Sequence, residues 1–428
     1  MNVKDVNVKI IADSRGENTL EAEFTADDFS VKATVPSGKS KGVHEVYVLE
    51  PEKAIEKFGQ IKKEILSPDY QNQEDFDNFL ISLDGSENKK NLGGNLILAL
   101  SLAFARAKAK SEGKELYQYI IDLQPTTYNR QQKLTKPIFN VINGGAHAKN
   151  KLEIQEFQVI PQVSDFAIAL SMGKEFYRKL QKFLEKKFGA QNISLGDEAG
   201  FSVPFESNEE AISMLSEVIE KNNYPFKIGL DCAATSFYVP ADLSAKALAS
   251  AEASAKEGKD GFYEIGGKKY SADELLNYYL ELIDRYDIIS IEDPFYEEDF
   301  GSFAKLAEKL NENKKEALVI TDDLTTTNSK RLQKAINEKS GNAILIKLNQ
   351  IGTLTETLNV VKMAYQNNWQ AVVSHRSGET ADDFIADLAY SVHAWGLKSG
   401  APAKPERLVK YERLLAIYNK EILSAAIN

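Results

Sequence analysis

The chain has 428 residues, a formal net charge of −11 and a pI near 5.2, a balance that argues against a broad basic nucleic-acid surface while leaving room for a small basic pocket. Its length suits a complete barrel with one smaller domain. One cysteine, Cys232, excludes an intramolecular disulfide framework; with no apolar leader after Met1 and no run of about 18 apolar residues, a cytoplasmic protein without a transmembrane segment is expected.

Val6, Val8 and Ile10 alternate with polar residues, as do Leu20, Ala22 and Phe24, then Phe29, Val31, Ala33 and Val35, which predicts three half-buried antiparallel strands. Arg15-Gly16-Glu17-Asn18 and Ala26-Asp27-Asp28 supply the turns. Pro36 to Gly42 reads as a flexible polar loop; it lacks the first glycine of a nucleotide-binding P-loop. Residues from about 51 to 128 are expected to be helical, with a buried helix over Leu96 to Lys110 after Leu92-Gly93-Gly94-Asn95, completing a first α+β domain, 1–128. Polar Gln124 to Lys136, with Pro125, is the expected linker to a second domain, 137–428.

From Pro137 onward, strands alternate with amphipathic helices. A strand is expected over Ile154 to Ile160 and a helix from 164 to Phe188-Gly189. Ser207 with Glu210, Ser271 with Glu274 and Thr353 with Glu356 have capping-box spacing ahead of apolar helical stripes. Residues 241 to 260, rich in Ala, Ser and Lys, read as an exposed surface elaboration of helical tendency.

Short apolar runs in this half end on charge: Ile228-Gly229-Leu230 on Asp231, Ile288 to Ile291 on Glu292 and Asp293, Ala317 to Ile320 almost on Asp322 and Asp323, and Ile344 to Ile346 on Lys347. In a parallel barrel such residues converge on the face where active sites lie. Asp231, Glu292 and Asp322, separated by 61 and 30 residues, would repel one another unless a hard cation compensated them, and oxygen-only ligation suits magnesium or manganese. Periodicity leaves the choice within each acidic pair open, since Asp293 or Asp323 can equally orient backbone groups. A neutral Lys347 would be a general base, although burial and neighbouring carboxylates act on it in opposite directions. Glu156 and Glu198 are candidates to protonate a leaving hydroxide or hold water, Ser374-His375-Arg376-Ser377-Gly378 offers donors for phosphate, and Lys398 is placed to pair with an anion or a carboxylate.

The chain resembles the enolase family, the phosphopyruvate hydratases, over essentially its whole length. The resemblance is carried by Asp13-Ser14-Arg15-Gly16, Leu83-Asp84-Gly85, Asn143-Gly144-Gly145-Ala146-His147-Ala148 with Asn150, Gln155-Glu156-Phe157 and Gly196-Asp197-Glu198. It continues through Gly229-Leu230-Asp231, Ile291 to Phe295, Asp322-Asp323-Leu324, Lys347 to Gly352, Ser374 to Thr380 and Lys398 to Pro402. It implies a small N-terminal α+β domain, a modified TIM barrel of ββαα(βα)6 order, and a homodimer or an assembly of dimers, with Arg15 in an interface-associated motif. It also implies magnesium-dependent, reversible dehydration of 2-phosphoglycerate to phosphoenolpyruvate, in glycolysis and gluconeogenesis, with two Mg2+ per site when substrate is bound. Asp231, Glu292 and Asp322 match the family's metal ligands, and Ser40 matches the loop serine that joins the second ion. Lys347 matches the base for the C2 proton and Glu198 the acid that expels the C3 hydroxyl, with Glu156 beside it and His147 near the substrate. Ser374, His375, Arg376 and Ser377 match the phosphate side, and Lys398 the lysine that holds the substrate carboxylate. An in-family alternative acts on an unphosphorylated acid, against which Arg376 and Lys398 argue; a different-class alternative is a binding or structural protein without turnover, and no specific nucleic-acid partner is expected.

Three departures stand out. Lys39 and Lys41 flank Ser40 where the family has small residues, Ala199 follows Glu198 where glycine is usual, and Glu17-Asn18 replaces Asn-Pro. If Lys39 and Lys41 point outward from a closed loop, their effect is on encounter with an anionic substrate and is screened by salt. K39A/K41T is then expected to leave the saturated rate nearly unchanged and to raise the substrate requirement modestly at low ionic strength. A large loss of saturated rate at high salt would place a lysine inside the closed site.

Overall fold

The computed structural model describes residues 1, 3–26, 28–38, 42, 44–67, 70–124, 134–148, 150–241 and 261–427, with side chains to 423. Ser40 with Lys39 and Lys41, most of the expected linker 124–136 and the 241–260 elaboration therefore lie outside the described residues, save 124, 134–136 and 241.

Strands β1 (Val3–Ala12), β2 (Asn18–Ala26) and β3 (Ser30–Thr34) form an antiparallel sheet in that order. Register sets Val8 opposite Ala22 and Val6 opposite Phe24, so the apolar alternation falls on one buried face. The helix Gly94–Ser111 packs on that face and is buried along most of its length, as its Leu- and Ala-rich sequence requires. Phe76 stacks on Phe104 at 4.1 Å between ring centroids, with Phe24 edge-on. The Gly-Gly pair before this helix answers a close approach: a Cβ on Gly94 would lie 2.3 Å from Val46 Cγ2. Asn95 then clamps the passing chain, accepting from Leu49 N at 3.1 Å and donating to Leu49 O at 2.8 Å.

The remaining strands are β4 (Lys136–Asn143), β5 (Glu156–Pro161), β6 (Ser194–Leu195), β7 (Phe201–Ser202), β8 (Phe226–Asp231), β9 (Tyr238–Val239), β10 (Phe262–Ile265) and β11 (Lys268–Tyr270). They are followed by β12 (Ile288–Glu292), β13 (Leu318–Thr321), β14 (Ala343–Ile346), β15 (Gln370–Ser374) and β16 (Gly396–Lys398). Among the described residues, β4, β5, β8 and β12 to β16 close into an eight-stranded barrel through the β16–β4 pairing. β5 runs antiparallel to both neighbours; the other pairings around the ring are parallel. Helices Phe166–Phe188 and Asn208–Lys221 lie between β5 and β8, and a helix follows each later barrel strand, the ββαα(βα)6 order expected from the resemblance.

All three capping residues accept the expected backbone N–H, and one pair closes the full box. Ser271 and Glu274 form the full reciprocal box, and Thr353 accepts from Glu356 N. Ser207 accepts from Glu210 N, but the Glu210 carboxylate takes Glu206 N instead of closing the box. The N-terminal half also caps the barrel: Leu354 N donates to Ser101 Oγ at 3.0 Å and Thr355 N to buried Asp77 at 2.9 Å.

Ala199, fully buried, sits at φ +65° and accepts the Tyr177 hydroxyl at 2.6 Å. This is the left-handed region, which costs an L-residue roughly 1–2 kcal/mol, partly offset in a glycine variant by unfolded-state entropy. Ala199→Gly is expected to raise stability by about 0.5–1 kcal/mol, read as a higher urea midpoint at unchanged slope. A lower midpoint would show that the Ala199 methyl contributes more by packing than its backbone costs.

Candidate active site

The antiparallel β5 explains why Glu156, at the start of its strand, joins residues at the ends of theirs. Register aligns Asn143 with Glu156, Glu156 with Asp231, and Asp231 with Glu292, one row across β4, β5, β8 and β12. Asp322 and Lys347 follow β13 and β14, His375, Arg376 and Ser377 follow β15, and Lys398 ends β16. A cavity of about 300 Å3 is lined by His147, Glu156, Glu198, Asp231, Asp322, Lys347, Ser374, His375, Arg376, Ser377 and Lys398. Glu292 lies beneath it, buried against Lys398.

Lys398 Nζ donates to Asp231 at 2.9 Å and to both oxygens of Glu292 at 2.9 and 3.0 Å, with Glu156 at 3.2 Å. Burial opposes its charge, but Asp231, Glu156 and Glu292 outweigh burial and hold its pKa well above the ordinary lysine value. Glu292 is pushed well up by burial and by Asp231 and Asp322, against Lys398. Lys347 pairs with Asp322, which also accepts from Gln350 at 2.9 Å. The structure resolves the opposing effects on Lys347: burial, Arg376 and Lys398 act downward, Asp322 and Glu292 act upward, and the net direction is up. Lys347 in this state is an ammonium.

Within the Glu292–Asp293 pair, the backbone-orienting role falls to Asp293. Asp293, at φ +42°, turns back to accept from Asp322 N at 2.9 Å and Asp323 N at 2.7 Å. It shapes the backbone under the site, and burial with Asp323 and Asp322 pushes its carboxyl well up. Burial and the Asp322 charge raise Asp323 to about 7.

Three acidic groupings can be tested against a divalent cation. Asp293, Asp322 and Asp323 approach within 4.8 Å, but both Asp293 oxygens are committed to backbone N–H groups. His147, Glu156 and Glu198 also approach within 4.8 Å, but they mix nitrogen with oxygen. Asp231, Glu292 and Asp322, on successive strands, are oxygen-only, and here their charge is met by Lys398 and Lys347. This set suits a hard cation, provided the two ammonium groups give up those contacts.

On the other side of Glu156, Glu198 Oε2 accepts from Asn140 Nδ2 at 2.9 Å and lies 3.4 Å from His375 Nε2, while Oε1 is 3.8 Å from His147 Nδ1. Burial alone would raise Glu198; His375, His147 and Arg407 outweigh it and hold the carboxyl well below the usual range. Glu156 moves the opposite way, raised by burial and the Glu198 charge against Lys398. Two neighbouring carboxyls pushed apart in this way divide one proton between a donor and an ionised partner, and in this state Glu156 holds it.

Arg376 is fixed from the N-terminal half. It donates to both oxygens of Glu45 at 3.0 and 3.1 Å and to Asn349 Oδ1 at 3.0 Å. Ser377 Oγ accepts from Arg15 at 3.2 Å, and Arg15 donates to Ser37 Oγ at 2.8 Å. Ser37 and Gly378 exchange backbone hydrogen bonds at 2.8 and 2.9 Å, pinning the base of the 36–42 loop to the segment after β15. A Cβ on Gly378 would lie 2.1 Å from Asp13 Oδ2, so the Asp-Ser-Arg-Gly motif and Gly378 fit each other in space.

Sequence reasoning missed Glu45, Asn140, Gln350 and Arg407. Glu45 lies in a stretch of sequence without apolar periodicity and so carries no periodic signal. Asn140 is an isolated amide inside an apolar strand, which is a usable sign of a buried partner. Arg407 shares the buried stripe of Tyr411 and Leu414 in the helix Pro405–Ile427, where charge on an apolar face was the available clue.

Removing Lys398 would leave Glu156, Asp231 and Glu292 buried without their cation. K398M is expected to lose about 3–5 kcal/mol of stability at neutral pH in the absence of metal. Glu156 and Glu292 have folded pKa values above their unfolded ones, so the deficit should deepen as pH rises and shrink as pH falls and the row takes up protons. Millimolar magnesium should recover more stability in K398M than in the parent; thermal melts across pH, with and without the ion, check this, and an ion-independent deficit would contradict it.

The family model "Enolase, N-terminal domain" matches residues 3–120, and "Enolase, C-terminal TIM barrel domain" matches residues 131–427. The chain is similar to the protein named Enolase from Methanocaldococcus jannaschii, 39% identical with 97% of this chain and 94% of that protein covered. It is likewise similar to the Enolase of Methanopyrus kandleri, at 40% identity with 97% and 95% covered, and to that of Methanosarcina acetivorans, at 40% with 97% and 94%. With both halves matched and the barrel order and strand-end charges in place, the chain belongs to the enolase family, the phosphopyruvate hydratases, which are carbon–oxygen lyases.

Proposed function

We propose that this site dehydrates 2-phospho-D-glycerate reversibly to phosphoenolpyruvate with magnesium, serving glycolysis and, in reverse, gluconeogenesis. The observation that carries the reading is the meeting, around one small cavity, of Lys347, the Glu156–Glu198 pair and Arg376 with a row of oxygen ligands. Asp231, Glu292 and Asp322 would hold the metal, with Ser40, outside the described residues, joining a second ion. Divalent cations held there would stabilise the charge that develops on the substrate carboxylate as the adjacent proton leaves, the general pattern of this superfamily.

The chain's own groups support distinct roles. Lys347 is the proposed base: engaging both Asp322 and Glu292 elsewhere, as metal ligands, would leave burial, Arg376 and Lys398, which favour the neutral amine. Glu198 is the proposed donor to the leaving C3 hydroxyl, and Glu156, which holds the proton in this state, is its source. Arg376 and Ser377, with Ser374 and His375 beside them, would receive the phosphate, His147 would close over the substrate, and Lys398 would turn from Asp231 and Glu292 to the substrate carboxylate. We further propose domains at 1–128 and 137–428, a homodimer or an assembly of dimers, and a cytoplasmic location. Among the described residues, no helix is long and apolar enough to cross a membrane.

Following phosphoenolpyruvate absorbance with purified protein and magnesium tests the function; no metal-dependent turnover by folded protein would refute it. K347A should lower the rate by roughly 10²- to 10⁴-fold and abolish exchange of the C2 proton. E198Q should impair loss of the C3 hydroxyl more than that exchange. Equal loss of both in E198Q, at unchanged substrate binding, would collapse the division between base and acid.

A further inference from the structure

Arg407 is fully buried at the start of the helix Pro405–Ile427, behind the acid side of the cavity. One of its terminal nitrogens, Nη1, lies 2.6 Å from His375 Nδ1 and 2.6 Å from Arg376 O; the other, Nη2, reaches Ser377 O at 2.6 Å and Asp197 O at 3.3 Å. Gly400 makes room for this packing: a Cβ there would lie 3.2 Å from both Arg407 Cδ and His375 Cε1 and 2.8 Å from Glu198 O.

A guanidinium is protonated at every working pH and only donates. A hydrogen on His375 Nδ1 would therefore meet another N–H at hydrogen-bond distance, so Nδ1 must be the acceptor. The neutral ring then carries its hydrogen on Nε2, the ring nitrogen nearest Glu198, 3.4 Å from Oε2 and with no other partner among the described residues. Oε2 also takes Asn140 Nδ2 at 2.9 Å, whereas Oε1 lies 3.8 Å from His147. A carboxyl hydrogen belongs on the oxygen not already facing two N–H groups.

We propose that Arg407 is a positioning residue for the dehydration: it fixes His375 in the Nε2–H tautomer and thereby confines the proton that Glu198 exchanges to Oε1. The role of Oε1 rests on Glu198 as proton donor in the function proposed above; the tautomer does not. The charged and titratable groups facing this pair are His147, Glu156 and Lys398 around Glu198, and Glu379 with Arg407 around His375. Burial, with Arg407 adding to it against Glu198, pushes His375 down to about 4, so its N–H is offered unchanged across the neutral range.

The chain has four histidines, which makes the test direct. Long-range proton–nitrogen spectra of the full-length protein labelled in its histidine rings, with H375Q as the assignment control, should show His375 Nδ1 bare and Nε2 protonated from about pH 5 to pH 8. In R407M the ring should populate both tautomers and titrate within that window. Turnover of 2-phosphoglycerate should fall roughly 10- to 100-fold with KM changed less than about twofold, and the pH–rate profile should gain an ionisation. R407K, which restores an obligate donor, should recover the tautomer and most of the rate. A protonated Nδ1 in the parent would overturn the proposal, as would an unchanged tautomer and pH profile in R407M. If R407M does not fold, the parent spectrum and R407K decide. A parent with the expected tautomer but no turnover would overturn the proposed function and the role of Oε1 with it, leaving the Arg407–His375 geometry standing.

Discussion

One ammonium group surrounded by carboxylates governs the architecture of the site. Lys398 is held at about 3 Å by Asp231 and both oxygens of Glu292, and only such close, multiple contacts offset the several kcal/mol that desolvating each ion costs. The balance closes only because strand register fixes the acids in a row and the last barrel strand brings the lysine to it. A second ammonium, Lys347, answers Asp322 in the same way. The site thus holds internal stand-ins for cations, and under the proposed function binding metal or anion would be an exchange of partners within a prebuilt charge lattice.

The N-terminal half is part of that lattice. Glu45 neutralises Arg376, while Asp13, Arg15 and Ser37 fix the loop base against Gly378. Because Asn95 clamps Leu49 to the first turn of the buried helix, the strap bearing Glu45 inherits the rigidity of the N-terminal core. Through these contacts Arg376 is tied to the same core that holds the Phe76–Phe104 stack.

The sequence was most legible where a local rule and a global one agreed. Period-two alternation gave the first sheet, and apolar runs ending on acids gave the barrel mouth, because a strand must be apolar where both faces are covered and can carry charge only where it emerges. Periodicity could not choose between Glu292 and Asp293: that depends on a positive φ and two backbone N–H groups visible only in space. The sign of the Lys347 shift was likewise a sum over residues from four separate segments. Glu45 and Arg407 escaped because each acts across more than 30 positions in the chain, Glu45 on Arg376 at a separation of 331 and Arg407 on His375 at 32.

The closing of the barrel has a consequence for the order in which the chain assembles. β4 and β5 pair as near neighbours, but β16 must find β4 across most of the barrel's length, pairing Gly396 with Lys136, and such a contact forms late because its loop-closure cost is met only when the intervening units are in place. Lys398 travels on that last strand, 167 positions after Asp231 and 106 after Glu292. Without that lysine, burial and mutual repulsion would favour the protonated forms of Glu156 and Glu292. Arrival of the final strand both seals the cylinder and brings the ammonium to the acids, so the charge pattern of the cavity requires the chain through Lys398.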